Sequence, residues 1–408
     1  MTFVASRMAR VKPSASGVAA MRARQLIAEG HDIISLTVGE PDFDTPAHIR
    51  AAGETAIRNG ETRYTNVDGT PALKQAVARK FLRENGLSYE SSQIVIGSGA
   101  KQVIFNAFLA SIDDGDEVIV PAPYWVSYPD MVRLAGGEPV EVACPAEDGF
   151  KLTPERLEAA ITPRTKMLVL NSPGNPSGAV YSEDELRALA VVLLRHERVA
   201  VVSDEIYEHI TFGNRRHVSI AAVEPRLMNR TLVVNGVSKA YAMTGWRIGY
   251  GAGPADLIRE IVKLQSQSTS SASSISQAAA LAALEGEQDE VHNNCSVFEK
   301  RMKIIREVLN KAGLVCREPG GAFYVYADCG AFIGMKRPDG RVVETDTDFA
   351  EYLLEEAKVA VISGAAYGLS PFIRLSFALS EDRLAEAGAR ILRACEGLAQ
   401  HSTIYRQP

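Results

Sequence analysis

The 408-residue sequence predicts an α/β protein in which a large domain, built on an open and mostly parallel sheet between helices, is followed by a smaller α/β domain. Three observations carry that expectation. Short β-rich runs alternate with helical stretches between Ile94 and Val234. Nearly every run ends in a polar motif rich in Gly, Pro or Asn, which gathers the motifs along the carboxyl edge of one sheet, where such sheets bind ligands. A long helical stretch from about His292 to Ala312 then precedes three further β-rich runs, as a crossover into a second domain would. The expected divisions are 1–47 for an N-terminal arm with part of the small domain, 48–290 for the large domain and 291–408 for the small one.

Taken in order, Ile33 to Val38 is a β-rich run ended by GEPDFDTP, whose Gly39, Pro41 and Pro46 force an irregular loop. Thr45-Pro46 opens a helix to about Asn59, with proline in the first turn. Tyr64 lies in the polar loop TRYTNVDGTP, before a helix from about Pro71 to Asn85. Ile94 to Ile96 feeds GSGAKQ, and Lys101 to Ser111 is the next helix. Strand, glycine turn and helix N-terminus together present backbone N–H groups to an anion, although most such turns are only turns. Glu117 to Val120 leads to PAPYWVSYP, where Trp125 is either a hydrophobic plug or a flat ring stacked on a flat ligand. Met167 to Leu170 runs into NSPGNPSG, a loop that cannot be regular structure.

Ser182 caps a helix to His196, with Glu185 closing a capping box. Val199 to Val202 enters SDEIYEH, and Thr231 to Val234 arrives at NGVSKAYAMTGWRIGY. Residues 266–276, SQSTSSASSIS, have the composition of a linker but continue through QAAALAALEG as a helix. GAFYVYAD, VAVISGAAYG and FIRLSFALS supply three strands, and Glu381 to Leu398 the terminal helix.

Composition excludes several classes. Apolar content of 46% and charged content of 23% are those of an ordinary soluble globular protein. A net charge of -6 argues against a nucleic-acid partner, and no apolar run reaches membrane-spanning length. The cysteines (144, 295, 316, 329 and 395) are odd in number and form no CxxC pair, which favours reduced thiols in a cytoplasmic setting and no metal site. Residues 1–28 carry Arg7, Arg10, Lys12, Arg22 and Arg24 with no acid before Glu29, a composition that an organellar presequence shares. Pro13 interrupts any long amphipathic helix there, and the pattern runs smoothly into ISLTVGEPDFDTP, so the segment is read as a functional arm.

The rest of the chain is organised around Asn235 to Tyr250. Lys239 follows Ser238 and precedes the small residues Ala240, Ala242, Thr244 and Gly245, with Arg247 eight positions on. An amine among small residues suits covalent work on a carbonyl, because the nitrogen must be neutral and the adduct flat. The arginine supplies an always-charged fork for a phosphate. The cofactor that joins an aldehyde to a phosphate is pyridoxal 5'-phosphate (PLP), an electron sink. By itself the stretch also fits two surface charges.

GEPDFDTP, YWVSYP, NSPGNPSG, SDEIYEH, SKAYAMTGWRIGY and FIRLSFA, in this order, resemble the class I aminotransferases of PLP fold type I. The likeness is closest to the bacterial aspartate aminotransferase subgroup that includes prephenate aminotransferases, and it runs from about Arg10 to Leu398. It implies that Lys239 forms the Schiff base with PLP and then carries the proton between substrate and cofactor. Asp204 is similar to the carboxylate that pairs with the pyridine nitrogen, and Tyr207 and Asn175 to the partners of the phenolic oxygen. Trp125 would stack on the ring, while Arg247 with the backbone of Gly99 and Ala100 would hold the phosphate. Tyr64 matches a tyrosine that reaches the phosphate across a homodimer interface, so shared active sites are implied.

For substrate, Arg374 matches the arginine that grips the α-carboxylate, and Gly39 belongs to the same pocket. Lys101 is similar to the group that recognises a distal carboxylate, with Lys12 and Ser16 aligned to the same end. Two departures stand out. Gly236 replaces a serine that often binds phosphate in the wider class, and Gly17 replaces a β-branched residue of the arm. The resemblance implies small amino acids and 2-oxo acids as partners and a ping-pong transfer between aspartate and 2-oxoglutarate. Prephenate or aromatic transamination, and a PLP carbon–sulfur lyase, are the alternatives. A PLP-sensing transcription regulator would need a DNA-binding module, for which the motifs leave no room.

Overall fold

The computed structural model describes residues 3–13 and 15–404, without the side chains of residues 15, 16 and 401–404. Two residues after Pro13 the arm becomes helix α1 (Ala15–Ala28). It leads to β1 (Ile34–Ser35), α2 (Ala47–Arg58) and α3 (Pro71–Lys80). Then follow β2 (Ile94–Gly97), α4 (Ala100–Ser111), β3 (Glu117–Ala122), α5 (Tyr128–Leu134), β4 (Glu138–Ala143), α6 (Pro154–Ala160), β5 (Thr165–Asn171), α7 (Glu183–Arg195) and β6 (Ala200–Asp204). After α8 (Ile220–Val223) come β7 (Thr231–Gly236), β8 (Gly249–Ala252), α9 (Ala255–Ser266), α10 (Ser274–Glu285) and α11 (Asp289–Lys311). The chain ends with β9 (Val315–Cys316), β10 (Tyr324–Asp328), α12 (Asp346–Tyr352), β11 (Val359–Ala360), β12 (Ile362–Ser363), β13 (Phe372–Ser376) and α13 (Glu381–Ile404).

Seven strands form the main sheet in the order β2-β8-β7-β6-β5-β3-β4. All pairs among β7, β6, β5, β3 and β4 are parallel, and only β8 runs against its neighbours. The inner strands are buried on both faces, so they read as continuous apolar runs. Along β3 the faces divide by residue parity: Val118 and Val120 pack with α4 and α9, and Ile119 packs with α6 and α7. A second, antiparallel sheet has the order β12-β13-β10-β9, and β1 pairs with β11. Phe298, Met302, Ile305 and Leu309 form the inner stripe of α11 in the core of this part, which also takes in Ile206 and Tyr207. That shared core seats the second sheet against the turn after β6.

Local chemistry accounts for several boundaries. Ser182 and Glu185 close the expected capping box on α7, and Thr70 caps α3 just before Pro71. Pro46 stands immediately before α2, one position earlier than expected, where its fixed φ suits an extended cap. Residues 81–85 continue α3 as a wider turn that ends at Gly86, φ 68°. Several elements were not foreseen, among them α1, α5, β4, β8, α9 and α12. The short α5 and β4 follow a proline-flanked loop, and the glycine-rich β8 lies inside the stretch read as loop.

Candidate active site

Three adjacent strands deliver the chemistry. Asn171 at the end of β5 lies opposite Asp204 at the end of β6, and Asp204 lies opposite Val234 on β7, five residues before Lys239. Beyond these ends lies a cavity of about 420 Å³, with Lys239, Asp204, Trp125, Asn175, Arg247 and Arg374 in its walls. Gly39, Ala100, Lys101 and Tyr207 line it too. A volume of this size takes a substituted aromatic ring together with a small substrate.

Lys239 Nζ donates to the Gly39 carbonyl at 2.6 Å and lies 5.9 Å from the centres of the Tyr207 and Phe323 rings. Burial brings its pKa down to about 8; Glu40 opposes this, and Arg247 and Arg374 add to it. A side chain at Gly39 would meet the Tyr324 hydroxyl at 2.5 Å, so glycine lets the loop pass over the amine.

Asp204 is buried, and its carboxylate receives the Tyr128 hydroxyl at 2.6 Å and the Ile206 N–H at 3.3 Å. Burial raises its pKa to about 6; these hydrogen bonds pull it down and neighbouring Glu205 pushes it up. Neutral donors thus hold a carboxylate that faces a cavity. The Tyr207 and Tyr324 hydroxyls are 2.8 Å apart, and burial lifts the Tyr207 pKa well above its ordinary value.

Arg374 stacks 4.4 Å over the Tyr324 ring. Its guanidinium donates to Asn175 Oδ1 at 3.1 Å and to the Thr37 carbonyl at 2.5 Å, and its buried Nε has no partner among the described residues. Asn175, expected beside Tyr207, is therefore bonded to Arg374, and its own N–H donates to Asn171 Oδ1 at 2.8 Å. Arg247 donates to the carbonyls of Thr244 and Ser98 and lies over the start of α4. Gly99 has φ +92°, and a Cβ there would stand 2.2 Å from the Arg247 guanidinium. Lys101 donates to Ser127 Oγ at 3.2 Å, with Nζ 4.7 Å from the Trp125 ring.

Other expected residues are not brought into the cavity. Tyr64 is 92% exposed and absent from its walls, and Lys12 is likewise exposed and outside it. The Ser16 side chain lies outside the described residues. From the arm, one face of α1 lines the cavity instead, through Gly17, Ala20 and Arg24. At Gly236 a Cβ would meet the Ile248 carbonyl at 2.9 Å, so this backbone has no place for the serine of the wider class. Tyr128, Tyr324, Asn171 and Arg24 are site residues that the sequence reading passed over. Tyr128 is the last tyrosine of the quoted YWVSYP motif and Tyr324 lies in GAFYVYAD, but neither motif says that a hydroxyl turns inward.

Residues 31–391 match the family model of aminotransferases of class I and II. The chain belongs to this family. It is 54% identical to the aspartate/prephenate aminotransferase of Cereibacter sphaeroides, over 98% of this chain and all of the relative. It is 53% identical to an aspartate aminotransferase of Rhizobium meliloti, over 97% of each. The crystal structure of the aspartate aminotransferase from Rhizobium meliloti superposes with a TM-score of 0.95 at 52% identity, covering 98% of this chain and 100% of that one. The aspartate aminotransferase of Thermus thermophilus with maleate follows at 0.90 and 44%, covering 97% and 100%.

The protein is thus a PLP-dependent aminotransferase with the expected fold type I architecture. Its own geometry fits that cofactor. A buried carboxylate with only neutral donors suits a ring cation, and the glycine turn with an arginine laid over a helix start suits a phosphate. An amine whose pKa burial lowers suits an aldehyde.

Proposed function

We propose that this aminotransferase exchanges the amino group between aspartate and 2-oxoglutarate, giving oxaloacetate and glutamate, in two half-reactions at one site. The observation that carries the reading is the pair of cationic groups, Arg374 and Lys101, on the walls of one cavity that also holds Lys239. A diacid needs a cation at each end and a base near its Cα.

PLP, when bound, withdraws electrons from the substrate Cα and accepts the amino group. Lys239 Nζ takes the proton from Cα of the amino donor in one half-reaction and delivers a proton to Cα of the acceptor in the other; the first step requires the neutral amine that burial favours. Asp204 as a carboxylate stabilises positive charge on the ring nitrogen, and Tyr128 orients it. Tyr207 offers its hydroxyl to the cofactor oxygen, Trp125 closes one face, and Arg247 with the start of α4 holds the phosphate. Arg374 binds the α-carboxylate, supported from behind by Asn175 and Thr37. Lys101 binds the distal carboxylate, and Arg24 on α1 adds a further cation to the same cavity.

The names of the relatives support this choice, as does maleate, a small dicarboxylate, in the Thermus thermophilus structure. A second reading, prephenate as amino acceptor, is favoured by the Cereibacter sphaeroides relative, while Gly17 on the cavity side of α1 speaks against it. The exposure of Tyr64 supports a homodimer in which this residue completes the partner's site. Mixing inactive Lys239→Ala and Tyr64→Phe chains tests that: hybrids regain one intact site if sites are shared. The deciding measurement for substrate is a steady-state panel of aspartate, glutamate, tyrosine, phenylalanine and alanine against 2-oxoglutarate, with prephenate as a further acceptor. Equal kcat/KM for alanine and aspartate would sink the diacid reading.

A further inference from the structure

Behind the turn that carries Asp204 and Tyr207 lies a buried ionic network whose members do not line the cavity. Asp204 and Tyr207 face the cavity; Glu205 and Glu208 face the other way and are buried. Glu208 forms a close ion pair with Lys80, a fully buried lysine at the end of α3, and accepts from Asn85 Nδ2 at 2.8 Å. Lys80 also donates to Asn85 Oδ1 at 2.8 Å. Glu205 accepts from Ser203 at 2.7 Å and Ser219 at 2.6 Å, and its other oxygen lies 2.9 Å from His217 Nε2. At the outer edge Glu84 meets His209 at 3.0 Å, Lys80 at 3.5 Å and Arg83. Tyr89, Tyr241 and Tyr250 lie close enough to feel the charge of these carboxylates, and the Tyr241 hydroxyl donates to Gln288 Oε1 at 2.8 Å. Carboxylates and an imidazole at such spacing resemble a cation site, and the cation in place is the Lys80 ammonium.

A carboxylate beside Asp204 makes it harder to ionise, so the charge of Glu205 works against the cofactor unless it is cancelled. His217 stands where it can cancel it. Burial alone would discharge the imidazole, but Glu205 and then Glu208 outweigh that and raise its pKa, against Lys80. Around Asp204 itself the remaining titratable groups are Tyr128, Tyr207 and Lys239.

We infer that Lys80, Glu205, Glu208 and His217 are positioning residues for the reaction. They clamp the 204–208 turn so that Asp204 and Tyr207 face the cavity, and His217 as imidazolium neutralises Glu205 so that Asp204 meets the cofactor ionised. The inference rests on the reading of Asp204 as the partner of the cofactor ring.

The test is the pH dependence of PLP binding to apoprotein, followed by fluorescence, beside thermal unfolding of the same apoproteins. His217→Gln keeps a donor to Glu205 but removes the charge. Its PLP dissociation constant rises at least fivefold at pH 6.5, and the gap closes to under twofold at pH 8.5, where Asp204 is ionised in both proteins. Glu205→Gln moves the binding midpoint the other way, to lower pH, and the double variant returns near the parent. Should His217→Gln not fold, Glu205→Gln and the charge-balanced double variant still carry the test. Unmoved midpoints with only a lowered melting temperature would mean a purely structural network and overturn the inference. Asp204→Asn is the control: if it binds PLP as tightly as the parent, the reading of Asp204 falls as well; if it binds weakly while the network variants do not, only the inference falls.

Discussion

The hydroxyl of Tyr128, on α5, donates to Asp204 Oδ2 at 2.6 Å from a point 76 residues away in sequence. This bond holds down a carboxyl whose pKa burial otherwise raises, to a net value of about 6. The carboxylate is lost as pH falls through that value. Tyr128→Phe removes one charge-assisted donor, worth roughly 1.5 kcal/mol or about one pKa unit. Cofactor retention by the variant therefore fails at higher pH than in the parent, which absorbance titration of the loaded protein reads directly.

Lys239 makes the apoprotein less stable than it could be. Its folded pKa, lowered to about 8, lies below the unfolded value near 10.5, so the unfolded chain binds more protons between those limits. Stability of the apoprotein rises as pH climbs from about 8 toward 10.5 and is lowest below that window. Lys239→Met abolishes transamination, removes this slope and raises apoprotein stability at pH 7 by about 2–3 kcal/mol. Chemical unfolding at pH 7 and pH 10 checks both signs; a destabilised Met variant would contradict the assignment. In the parent, covalent capture of the cofactor aldehyde accelerates through pH of about 8.

Arg374→Lys keeps the charge but loses the fork that spans Asn175 and Thr37. KM rises for every amino acid, roughly 10- to 100-fold for a loss of about 1.5–3 kcal/mol. An effect confined to diacids would mean that Arg374 binds the wrong carboxylate.

Lys101→Ala acts on selectivity instead. kcat/KM for aspartate drops about 10- to 100-fold while that for alanine holds, by loss of one charge-assisted contact. Arg24→Ala gives the same sign with a smaller effect, because Arg24, at the cavity wall, is itself exposed to solvent. Lys12→Ala leaves the aspartate-to-alanine ratio within twofold, since Lys12 stays outside the cavity.

Gly99→Ala combines two faults, a positive φ of +92° and a Cβ 2.2 Å from Arg247. Phosphate binding suffers more than the fold: PLP affinity drops at least tenfold, whereas stability falls by about 1–2 kcal/mol. Affinity for phosphate-free pyridoxal, measured in parallel, is spared.

Much of the site was legible because its chemistry needs particular residue types at strand ends. An amine among small residues, a carboxylate in SDEIYEH and arginines in GWRIGY and FIRLSFA can be picked out from one dimension. The Ser182 and Glu185 cap was legible for the same reason, since its partners are three residues apart. The β8 strand was not, because glycines carry no hydrophobic pattern; a Cβ at Gly249 would meet the Ala100 nitrogen at 2.1 Å, and only the packed sheet reveals that demand.

The order of motifs, the lysine with the arginine eight positions on, and the alternation of strands and helices were determined by the sequence alone, since each depends on residue type and short spacing. Tertiary structure alone decided that Tyr128 meets Asp204, that Arg24 and not Lys12 lines the cavity, that Asn175 supports Arg374, and that Lys80 pairs with Glu208. Those pairs join residues brought together by sheet order and by the packing of α1 and α3. Their strength comes from burial, a property that no residue has until the chain has folded around it.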